Sequence, residues 1–352
     1  MRYLNLGTVD PATSQAVYHA VAHAARKGDP ATLITVKPNA PYVCVGYHQA
    51  ASREVDRAYC EARGILVGRR MVGGGAVWLD SGQVFWHLVL PGFQGSPEAL
   101  YRRFLAAPVA VYQAIGIAAE YRPVNDLVVG PRKIGGTGAA VIGGATVLVG
   151  SLLFDFDIRA MSRVLRVPSE KFRDKMVSSL EEYMTTIRRE LGAQAPPEAL
   201  VVRRLVEAFA ALLAEPAVPD VLNPRESALL AHYRRRLFAP EFVYQGEGWQ
   251  QPGVKIREGV RLLEGVHKAP GGLVRVIWRE RDGRIDQFWL TGDFFADPPE
   301  GLEALSHAMA GVAVERGPLH AALETGFQAV RIAGVSPEDV LAAMQSATAL
   351  AV

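Results

Sequence analysis

A run of three glycines, Gly73–Gly75, interrupts an apolar stretch that reads GILVGRRMVGGGAVWLDSGQVFWHLVLPG from Gly64 to Gly92. The residues before the run, ILVG, and those after it, AVWLD and QVFWHLVLP, are typical of strands. DSGQ, between the last two strands, carries the turn residues of a β-hairpin. A Walker or Rossmann phosphate loop instead leads from a strand into the first turn of a helix. The glycines therefore join strand to strand, and neither of those nucleotide-binding loops is predicted.

The glycine run lies beside a fixed positive charge. Consecutive glycines let backbone amides approach a ligand without interference from a Cβ atom, and the guanidinium of Arg70 keeps its charge at physiological pH. This combination predicts a site for an anion. A tight strand crossing or bulge with arginines on the surface is the alternative, and the motif by itself does not separate the two.

A second glycine-rich segment, GPRKIGGTGAA, has the same character. Lys133 lies on or beside a strand and is followed by Gly135, Gly136 and Gly138. A lysine there would act as a point charge on a phosphate or on a developing carbonyl oxyanion, whereas the simpler interpretation is a solvated turn lysine. Two such junctions in one α/β domain indicate a single pocket.

The stretch around Lys133 is predicted to form two or three strands with one more glycine-rich bend. Asn125 and Asp126 stand at the start of the strand before Lys133. They would add a polar group that fixes a ligand, or, for Asp126, a contact to a metal-bound water.

The remaining candidates are two histidines and two cysteines. His19 and His23 share a helix face four residues apart, but no glutamate follows the first histidine, so the zinc-protease pattern fails. Cys44 lies in the strand YVCVGY, where a buried thiol is the usual outcome, and Cys60 lies in a helix. Two cysteines are too few for a disulfide framework or a thiolate metal site, and we expect a reducing cytoplasm.

The 352 residues are enough for one large domain and a small one, because domains commonly contain about 100 to 200 residues. Lysine and arginine number 38 and aspartate and glutamate 36, a formal charge of +2 that indicates neither a nucleic-acid nor a membrane partner. No apolar stretch reaches the roughly 20 residues of a spanning helix. The first residues show neither a secretory signal nor a transit peptide.

The chain divides into two predicted domains, 1–245 and 246–352. Proline-rich EPAVPDVLNP and hinge-like QGEGWQQPG mark the region of the boundary. Before it, strands alternate with helices such as APPEALVVRRLVEAFAALLAEP, which predicts an α/β domain. Beyond it, a strand, an Asp-Gly hairpin, a second strand and two helices predict a small α+β domain.

These segments resemble the lipoate-protein ligase family, within the biotin and lipoate attachment group. RRMVGGGAVWLDSGQ is similar to that family's Arg-Arg followed by Gly-Gly-Gly-Ala-Val, and VNDLVVGPRKIGGTGAA to its Asn-Asp strand and lysine-centred activation segment. HKAPGGLVRV and LTGDFF resemble the accessory domain that some members carry as a separate chain. The resemblance covers nearly the whole chain. It implies a core related to biotin ligases and class II synthetases, with a larger and a smaller mixed β-sheet and flanking helices.

The resemblance also implies a two-step reaction that uses ATP, Mg²⁺ and lipoic acid. The lipoate carboxylate attacks the α-phosphate of ATP, and an acceptor lysine on another protein then attacks the mixed anhydride. Lys133 takes the catalytic position. The positions expected to bind substrate and adenylate are Arg70, Gly73, Gly74, Gly75, Ala76, Val77, Gln83, Asn125, Gly135, Gly136, Thr137 and Ala139.

The acceptors that the resemblance implies are lipoyl domains. They belong to the E2 component of 2-oxoacid dehydrogenases, the H protein of glycine cleavage, or a related lipoate-carrier protein. We expect a monomer with no nucleic-acid or membrane partner. Apolar strand residues, among them Trp78, Val77 and Phe85, would accept the hydrocarbon tail and the dithiolane.

Three positions depart from the family's pattern. Val72 replaces a small hydroxyl residue, Leu79 a histidine or polar residue, and Val149 a histidine that commonly precedes the glycine. Each exchanges a hydrogen-bonding group for hydrocarbon. This leaves open altered nucleotide contacts, a specialised acyl donor, or transfer from a preformed adenylate.

Two main alternatives to the ligase therefore stay open, and biotin ligase is a lesser one because its basic Gly-Arg-Gly-Arg type loop is not seen. One is an acyltransferase that uses octanoyl or lipoyl carrier thioesters. The segment AAEYRPVNDL, where thioester-using relatives carry their cysteine nucleophile, contains none here, which counts against that alternative. The other is a protein that binds lipoyl groups or lipoyl domains for a partner system.

Overall fold

The computed structural model describes residues 1–167, 169–247 and 260–349, which form two compact units. Unit 1 comprises Met1–Cys44, Val55–Met71 and Val77–Val243. Unit 2 comprises Val45–Glu54, Val72–Ala76 and the described residues from Tyr244 onward. The glycine run thus groups with C-terminal residues. The division into a catalytic domain 1–245 and an accessory domain 246–352 stays a prediction, and residues 248–253 of the hinge-like stretch lie outside the described residues.

The strands are numbered in chain order. They are β1 Arg2–Val9, β2 Thr32–Pro38, β3 Tyr42–Val45, β4 Leu66–Arg69, β5 Val77–Leu79, β6 Gln83–Pro91, β7 Ala119–Arg122, β8 Asp126–Val129, β9 Arg132–Ile142, β10 Ala145–Leu153, β11 Val218–Pro219, β12 Val260–Ala269, β13 Gly272–Arg281, β14 Arg284–Gly292, β15 Ala296–Asp297, β16 Arg331–Ile332 and β17 Thr348–Ala349.

The helices are numbered in the same way. They are α1 Pro11–Ala24, α2 Ala51–Glu54, α3 Arg57–Arg63, α4 Pro97–Phe104, α5 Ala106–Ala114, α6 Ile158–Val164, α7 Glu170–Tyr183, α8 Ile187–Leu191, α9 Glu198–Leu213, α10 Pro224–Arg236, α11 Pro240–Val243, α12 Gly301–Met309, α13 Arg316–Phe327 and α14 Pro337–Gln345. A single 3₁₀ turn, Gly192–Gln194, follows α8 in the described part of the chain.

Unit 1 is built on a large mixed sheet with the order β11-β1-β2-β6-β10-β9-β8-β7 in the described residues. β1 runs parallel to β2 and β11, and the other neighbours are antiparallel. Alternate residues of β6, including Trp86 and Leu88, pack on one face of this sheet with Leu205 and Phe209 of α9. A smaller sheet has the order β4-β3-β5. The predicted α/β class, with a larger and a smaller sheet and flanking helices, is confirmed.

β5 and β6 do not form the hairpin predicted from DSGQ. β5 pairs with β3 in the smaller sheet, whereas β6 pairs with β2 and β10 in the larger one. Asp80 holds the turn between them: its Oδ1 accepts from the amide of Gly82 at 2.9 Å, and its carbonyl accepts from the amide of Gln83 at 3.2 Å. The turn satisfies its own polar groups and leaves each strand to a different sheet. The hairpin prediction was wrong because turn residues do not determine which strands pair.

The segment around Lys133 forms the three strands β8, β9 and β10. GGTG makes no bend, because it lies inside β9, and the turn to β10 is Gly143–Gly144, both with positive φ. Gly150 in β10 is required by packing, since a Cβ there would lie 2.4 Å from the indole of Trp86.

Unit 2 contains a sheet with the order β14-β13-β12-β17 among its described strands. The predicted Asp-Gly hairpin is present, with Asp282 and Gly283 both at positive φ between β13 and β14. The two predicted helices correspond to α12 and α13. α14 was not predicted, although Ser336 and Asp339 form a capping box at its start. No helix in the described ranges is both long and apolar enough to span a membrane.

Candidate functional site

Lys133 is held by a carboxylate on the neighbouring strand. Its Nζ lies 2.6 Å from Asp126 Oδ1, and both side chains are partly exposed. The pairing places Asp126 opposite Gly136 across β8 and β9, and a Cβ built on Gly136 would lie 3.2 Å from Lys133 Nζ. The missing side chain at Gly136 therefore gives the lysine its space.

The second oxygen of Asp126 is also paired with a cation. Arg122 Nη2 lies 3.2 Å from Asp126 Oδ2 and donates to the hydroxyl of Tyr183 at 2.6 Å. Neither Arg122 nor Tyr183 was predicted, because the only signal is their proximity after folding. With both oxygens next to cations, Asp126 is not arranged as a metal ligand. No group of three or more histidine, cysteine, aspartate or glutamate side chains that could hold a metal occurs within residues 1–167, 169–247 and 260–349.

Asn125 and Thr137 are joined to each other. The Thr137 hydroxyl donates to the carbonyl of Asn125 at 2.7 Å, and the Asn125 side-chain amide donates to the carbonyl of Thr137. These bonds fix the start of β8 on β9. Gly135 lies against Leu127, and Ala139 is buried within β9. The structure thus places all five predicted residues near Lys133 in β9 or beside it, but strand alternation divides them: Gly136 is on the face of Lys133, whereas Gly135, Thr137 and Ala139 are on the opposite, core face.

Arg69 and Arg70 are buried rather than solvated. Arg69 is 1% exposed and donates to the carbonyls of Phe242 and Val243 at the end of α11. Arg70 Nη1 donates to the carbonyl of Cys44 at 3.0 Å. The surface arginines of the strand-crossing alternative are not found. Adenylate binding by Arg70 stays a prediction.

The glycine run is packed tightly within unit 2. A Cβ on Gly73 would lie 2.7 Å from the carbonyl oxygen of Phe294, and a Cβ on Gly46 would lie 1.8 Å from the carbonyl oxygen of Gly74. Gly74 has a φ of 93°. Close main-chain packing, as well as any ligand, therefore requires glycine here, and the role of Gly73, Gly74, Gly75 and Ala76 in adenylate binding stays a prediction.

Val77 and Gln83 flank the turn between the two sheets of unit 1. Val77 pairs with Cys44 in the smaller sheet. Gln83 is 2% exposed, and its Nε2 donates to the carbonyl of Trp78 at 3.1 Å and to Asp80 at 3.4 Å. These contacts give Gln83 a structural role, which leaves its predicted contact with the adenylate untested.

The three departures from the family's pattern lie in different surroundings. Val72 is buried in unit 2, where its carbonyl accepts from the amide of Tyr47 at 3.1 Å. Leu79 pairs with Tyr42 in the smaller sheet. Val149 pairs with His87, so an imidazole stands on the strand next to the one where the resemblance expects it. His87 was not predicted as a site residue, although a histidine inside the apolar run VFWHLVL was a visible signal.

His19 and His23 have protein partners instead of forming a metal pair. His19 Nδ1 lies 3.0 Å from the carbonyl of Gln15, and its Nε2 accepts from the amide of Met71 at 3.2 Å, so the proton is on Nδ1. Burial lowers the pKa of His19 to about 3. His23 Nδ1 lies 2.8 Å from the hydroxyl of Tyr233.

Both cysteines are buried, and neither is part of a disulfide bond. Burial raises the pKa of Cys44, although the nearby Arg70 acts in the opposite direction. Burial, together with Asp56 and Glu61, raises the pKa of Cys60 to about 11. Neither environment stabilises the thiolate that a nucleophile requires.

Comparison with known proteins identifies the relatives of this chain. The model of the "Lipoyl protein ligase A/B catalytic domain" matches residues 10–210. Subunit 1 of lipoate-protein ligase A from Thermoplasma acidophilum is 29% identical over 217 residues, which are 59% of this chain and 79% of that protein. The octanoyltransferase LipM of Kyrpidia tusciae is 30% identical over 271 residues, which are 69% of this chain and 98% of the relative.

Solved structures agree with the fold. The bi-partite lipoate-protein ligase of Thermoplasma acidophilum, studied with its E2 lipoyl domain, is 28% identical, with a TM-score of 0.64 over 69% of this chain and 95% of the other. A lipoate-protein ligase A bound with ATP shares the fold at 24% identity, with a TM-score of 0.60 over 69% of this chain and 98% of that one.

Proposed function

Because the chain belongs to the lipoyl protein ligase A/B catalytic-domain family, we propose that it is an ATP-dependent lipoate-protein ligase. It converts lipoate and ATP into lipoyl-AMP and pyrophosphate. It then transfers the lipoyl group to an acceptor lysine and releases AMP. The family contains both ligases and octanoyltransferases, so the choice between them depends on the chemistry of this chain's own residues.

The burial and the raised pKa of the two cysteines favour the ligase over the transferase. A transferase that forms an acyl-enzyme on sulfur needs an accessible thiol with a pKa low enough to give thiolate. Cys44 and Cys60 are the two cysteines of the sequence, and both are buried with a raised pKa. Activation by ATP needs no thiol, because AMP becomes the leaving group.

Lys133 is the residue that we assign to charge stabilisation. In the first step its ammonium offsets the charge on the α-phosphate as the lipoate carboxylate attacks. In the second step it polarises the acyl carbonyl while the acceptor amine attacks and AMP leaves. Asp126 holds the ammonium before substrate binds, and Asn125 and Thr137 fix the strands that carry both residues. Arg70 and the amides of Gly73–Gly75 are further proposed contacts to the adenylate.

ATP and lipoate are the substrates that relatives support, since one solved relative holds ATP and another holds lipoic acid. Mg²⁺ usually accompanies ATP and would neutralise part of the phosphate charge. The arrangement at Asp126 does not fit the metal contact predicted for it, because Lys133 and Arg122 occupy its two oxygens. We therefore assign no step to a metal held by Asp126.

We propose lipoyl domains as acceptors. The Thermoplasma acidophilum ligase was studied with its E2 lipoyl domain, which supports lipoyl domains as the class of partner. The E2 component, the glycine-cleavage H protein or a related lipoate carrier stay our predictions for the specific acceptor. A monomer in the cytoplasm stays our prediction for oligomeric state and location.

An octanoyltransferase is the second candidate. The LipM relative supports it, since it is 30% identical and matched over 98% of its length. In that case the acyl group would arrive as a carrier thioester, and ATP would not be needed.

One experiment separates the candidates. The protein is incubated with an acceptor lipoyl domain and either ATP plus lipoate or an octanoyl carrier thioester, and the acceptor is read by intact mass. We expect lipoylation with ATP, loss of about 100-fold or more in rate for Lys133→Ala, and no loss for the double variant Cys44→Ser with Cys60→Ser once folding is verified. Lys27→Ala, an exposed lysine, is the control.

The opposite results would reject the ligase. Octanoyl transfer without ATP, together with an acyl adduct on Cys44 or Cys60, would assign the transferase. Tight binding of the lipoyl domain with no modification in any condition would assign a binding protein.

A further inference from the structure

The Lys133 ammonium and the His87 imidazole lie on the same face of the larger sheet. The ammonium lies over Gly136, 3.2 Å from where its Cβ would be. Gly138 shares that face because it is two residues further along β9. Gly138 pairs with Val149, and Val149 pairs with His87. Directly paired residues project to one face, so the row from Gly138 to His87 belongs to the side that carries Lys133.

The surface between these two groups is lined by small side chains. Gly136, Gly138 and Val149 are partly exposed, whereas His87 is 4% exposed. Phe85 is two residues from His87 on β6, shares its face and is also buried. The face is therefore open near Lys133 and closed at His87. We call this surface the acyl track: Gly136, Gly138, Val149, Phe85 and His87.

The length of the acyl track matches an acyl chain of eight carbons. Two strand spacings and two residues along β9 separate Gly136 from His87, which is roughly 12 Å. An extended eight-carbon acid is about 9 Å long from ordinary bond lengths, and its carboxyl group would then lie beside the Lys133 ammonium. The far end of the chain would reach His87.

His87 places a polar imidazole at the closed end of the acyl track. Its Nδ1 has no hydrogen-bond partner among the described residues. Burial lowers its pKa to about 3, so the imidazole is neutral. The ring of Tyr18, on α1, lies 4.6 Å from it, centroid to centroid. A buried polar atom without a partner requires an explanation, and a ligand atom at this position supplies one.

We propose that His87 and Tyr18 close the acyl track and give the ligase a preference for a donor with sulfur at its far end over plain octanoate. This inference rests on the proposed function. Divalent sulfur is polarisable, makes favourable contacts with aromatic rings and accepts weak hydrogen bonds. A methyl end group is less polarisable than sulfur and cannot accept a hydrogen bond from the imidazole of His87. The pair of rings therefore distinguishes the dithiolane of lipoate from the hydrocarbon end of octanoate.

The test compares two donors on the same protein. The ratio of kcat/KM for lipoate to kcat/KM for octanoate is measured with ATP and an acceptor domain for the wild type and for His87→Leu. Leucine fills similar space but has no ring and no nitrogen. We expect the ratio to fall about fivefold or more. The control Leu88→Ala lies next to His87 on β6 but faces the opposite core, and we expect it to lower stability without changing the ratio.

The results separate this inference from the proposed function. An unchanged ratio in His87→Leu, or an equal fall in Leu88→Ala, would overturn the inference even if transfer proceeds. If the wild type transfers neither acid, the proposed function fails. Selectivity is then read directly from the affinities for lipoate and octanoate by calorimetry. In that calorimetric comparison, the inference still requires that the affinity of His87→Leu for lipoate no longer exceed its affinity for octanoate.

Discussion

Gly73 and Gly75 belong to the same run, yet their surroundings differ at the level of single atoms. A Cβ on Gly73 would lie 2.7 Å from a main-chain carbonyl oxygen, that of Phe294, whereas a Cβ on Gly75 would lie 3.9 Å from the Cβ of Asp293. The first distance is a clash with backbone that has little freedom to move, and the second is an ordinary contact.

We therefore expect Gly73→Ala to lower the free energy of unfolding by about 1–3 kcal/mol and Gly75→Ala to change it by less than about 0.5 kcal/mol. Thermal and urea unfolding of both variants measure the difference. Equal stability of the two variants would show that the run is not packed in this way.

At the scale of single residues, the sequence predicts which charged side chains belong to the candidate site better than it predicts which groups they contact. Lys133 and Arg70 were identified because a cation beside glycines is a visible pattern. The partners of Lys133 and Arg70, Asp126 and the Cys44 carbonyl, depend on strand register and on chain segments that are distant in sequence. His87 was missed although it interrupts an apolar run, because its pairing with Val149 depends on a strand more than 50 residues away.

The helices and strands show which local signals are sufficient. α1 begins at Asp10–Pro11 and α4 at Ser96–Pro97, as capping residues predict. The turn at Asp80 was also recognised, but its two strands enter different sheets. Which strands pair with each other depends on the whole set of strands. The turn sequence alone therefore could not predict it.

α1 is joined to Met71, within unit 1, through His19, and this buried histidine predicts a dependence of stability on pH. The pKa of His19 falls from 6.5 to about 3 on folding. Below about pH 6.5 the unfolded chain binds a proton that the folded protein excludes, so stability decreases as the pH falls toward 3, by up to about 1.4 kcal/mol per pH unit.

We expect His19→Gln to be less stable at pH 7, because the bonds to Gln15 and Met71 are lost, but to have a shallower decline in acid. Urea unfolding between pH 7 and 4 measures both effects. His232→Gln, which alters an exposed histidine, is the control. If the free energy of unfolding of His19→Gln decreased with falling pH as steeply as that of the wild type, the buried neutral imidazole would be contradicted.

In the whole molecule, unit 2 is assembled from distant parts of the chain. Ala50 packs with Ile277, and Arg53 Nη2 lies 2.8 Å from Glu264. Gly73 adjoins Phe294 in the same unit. Composition and hinge-like segments predicted a division near residue 245, but they contained no sign that 45–54 and 72–76 group with later residues, because such contacts leave no local pattern.

A chain ending at Val243 lacks most of unit 2. We expect residues 45–54 and 72–76 to become sites of rapid proteolysis in that truncated chain, read by mass spectrometry, with a lower temperature of unfolding. The control is a full-length chain nicked at a protease site inserted within residues 248–259, in which both parts are present. Equal resistance of truncated and full-length chains would contradict this assembly.

The composition of unit 2 also has a consequence for the order of events during synthesis. Residues 45–54 and 72–76 leave the ribosome long before Phe294, so the glycine run waits for more than 200 further residues before its packing partner exists. Contacts of such sequence separation form late, after local ones. The proposed adenylate loop is therefore packed only after Phe294 has left the ribosome, so a nascent chain that has already folded unit 1 still carries an unpacked glycine run.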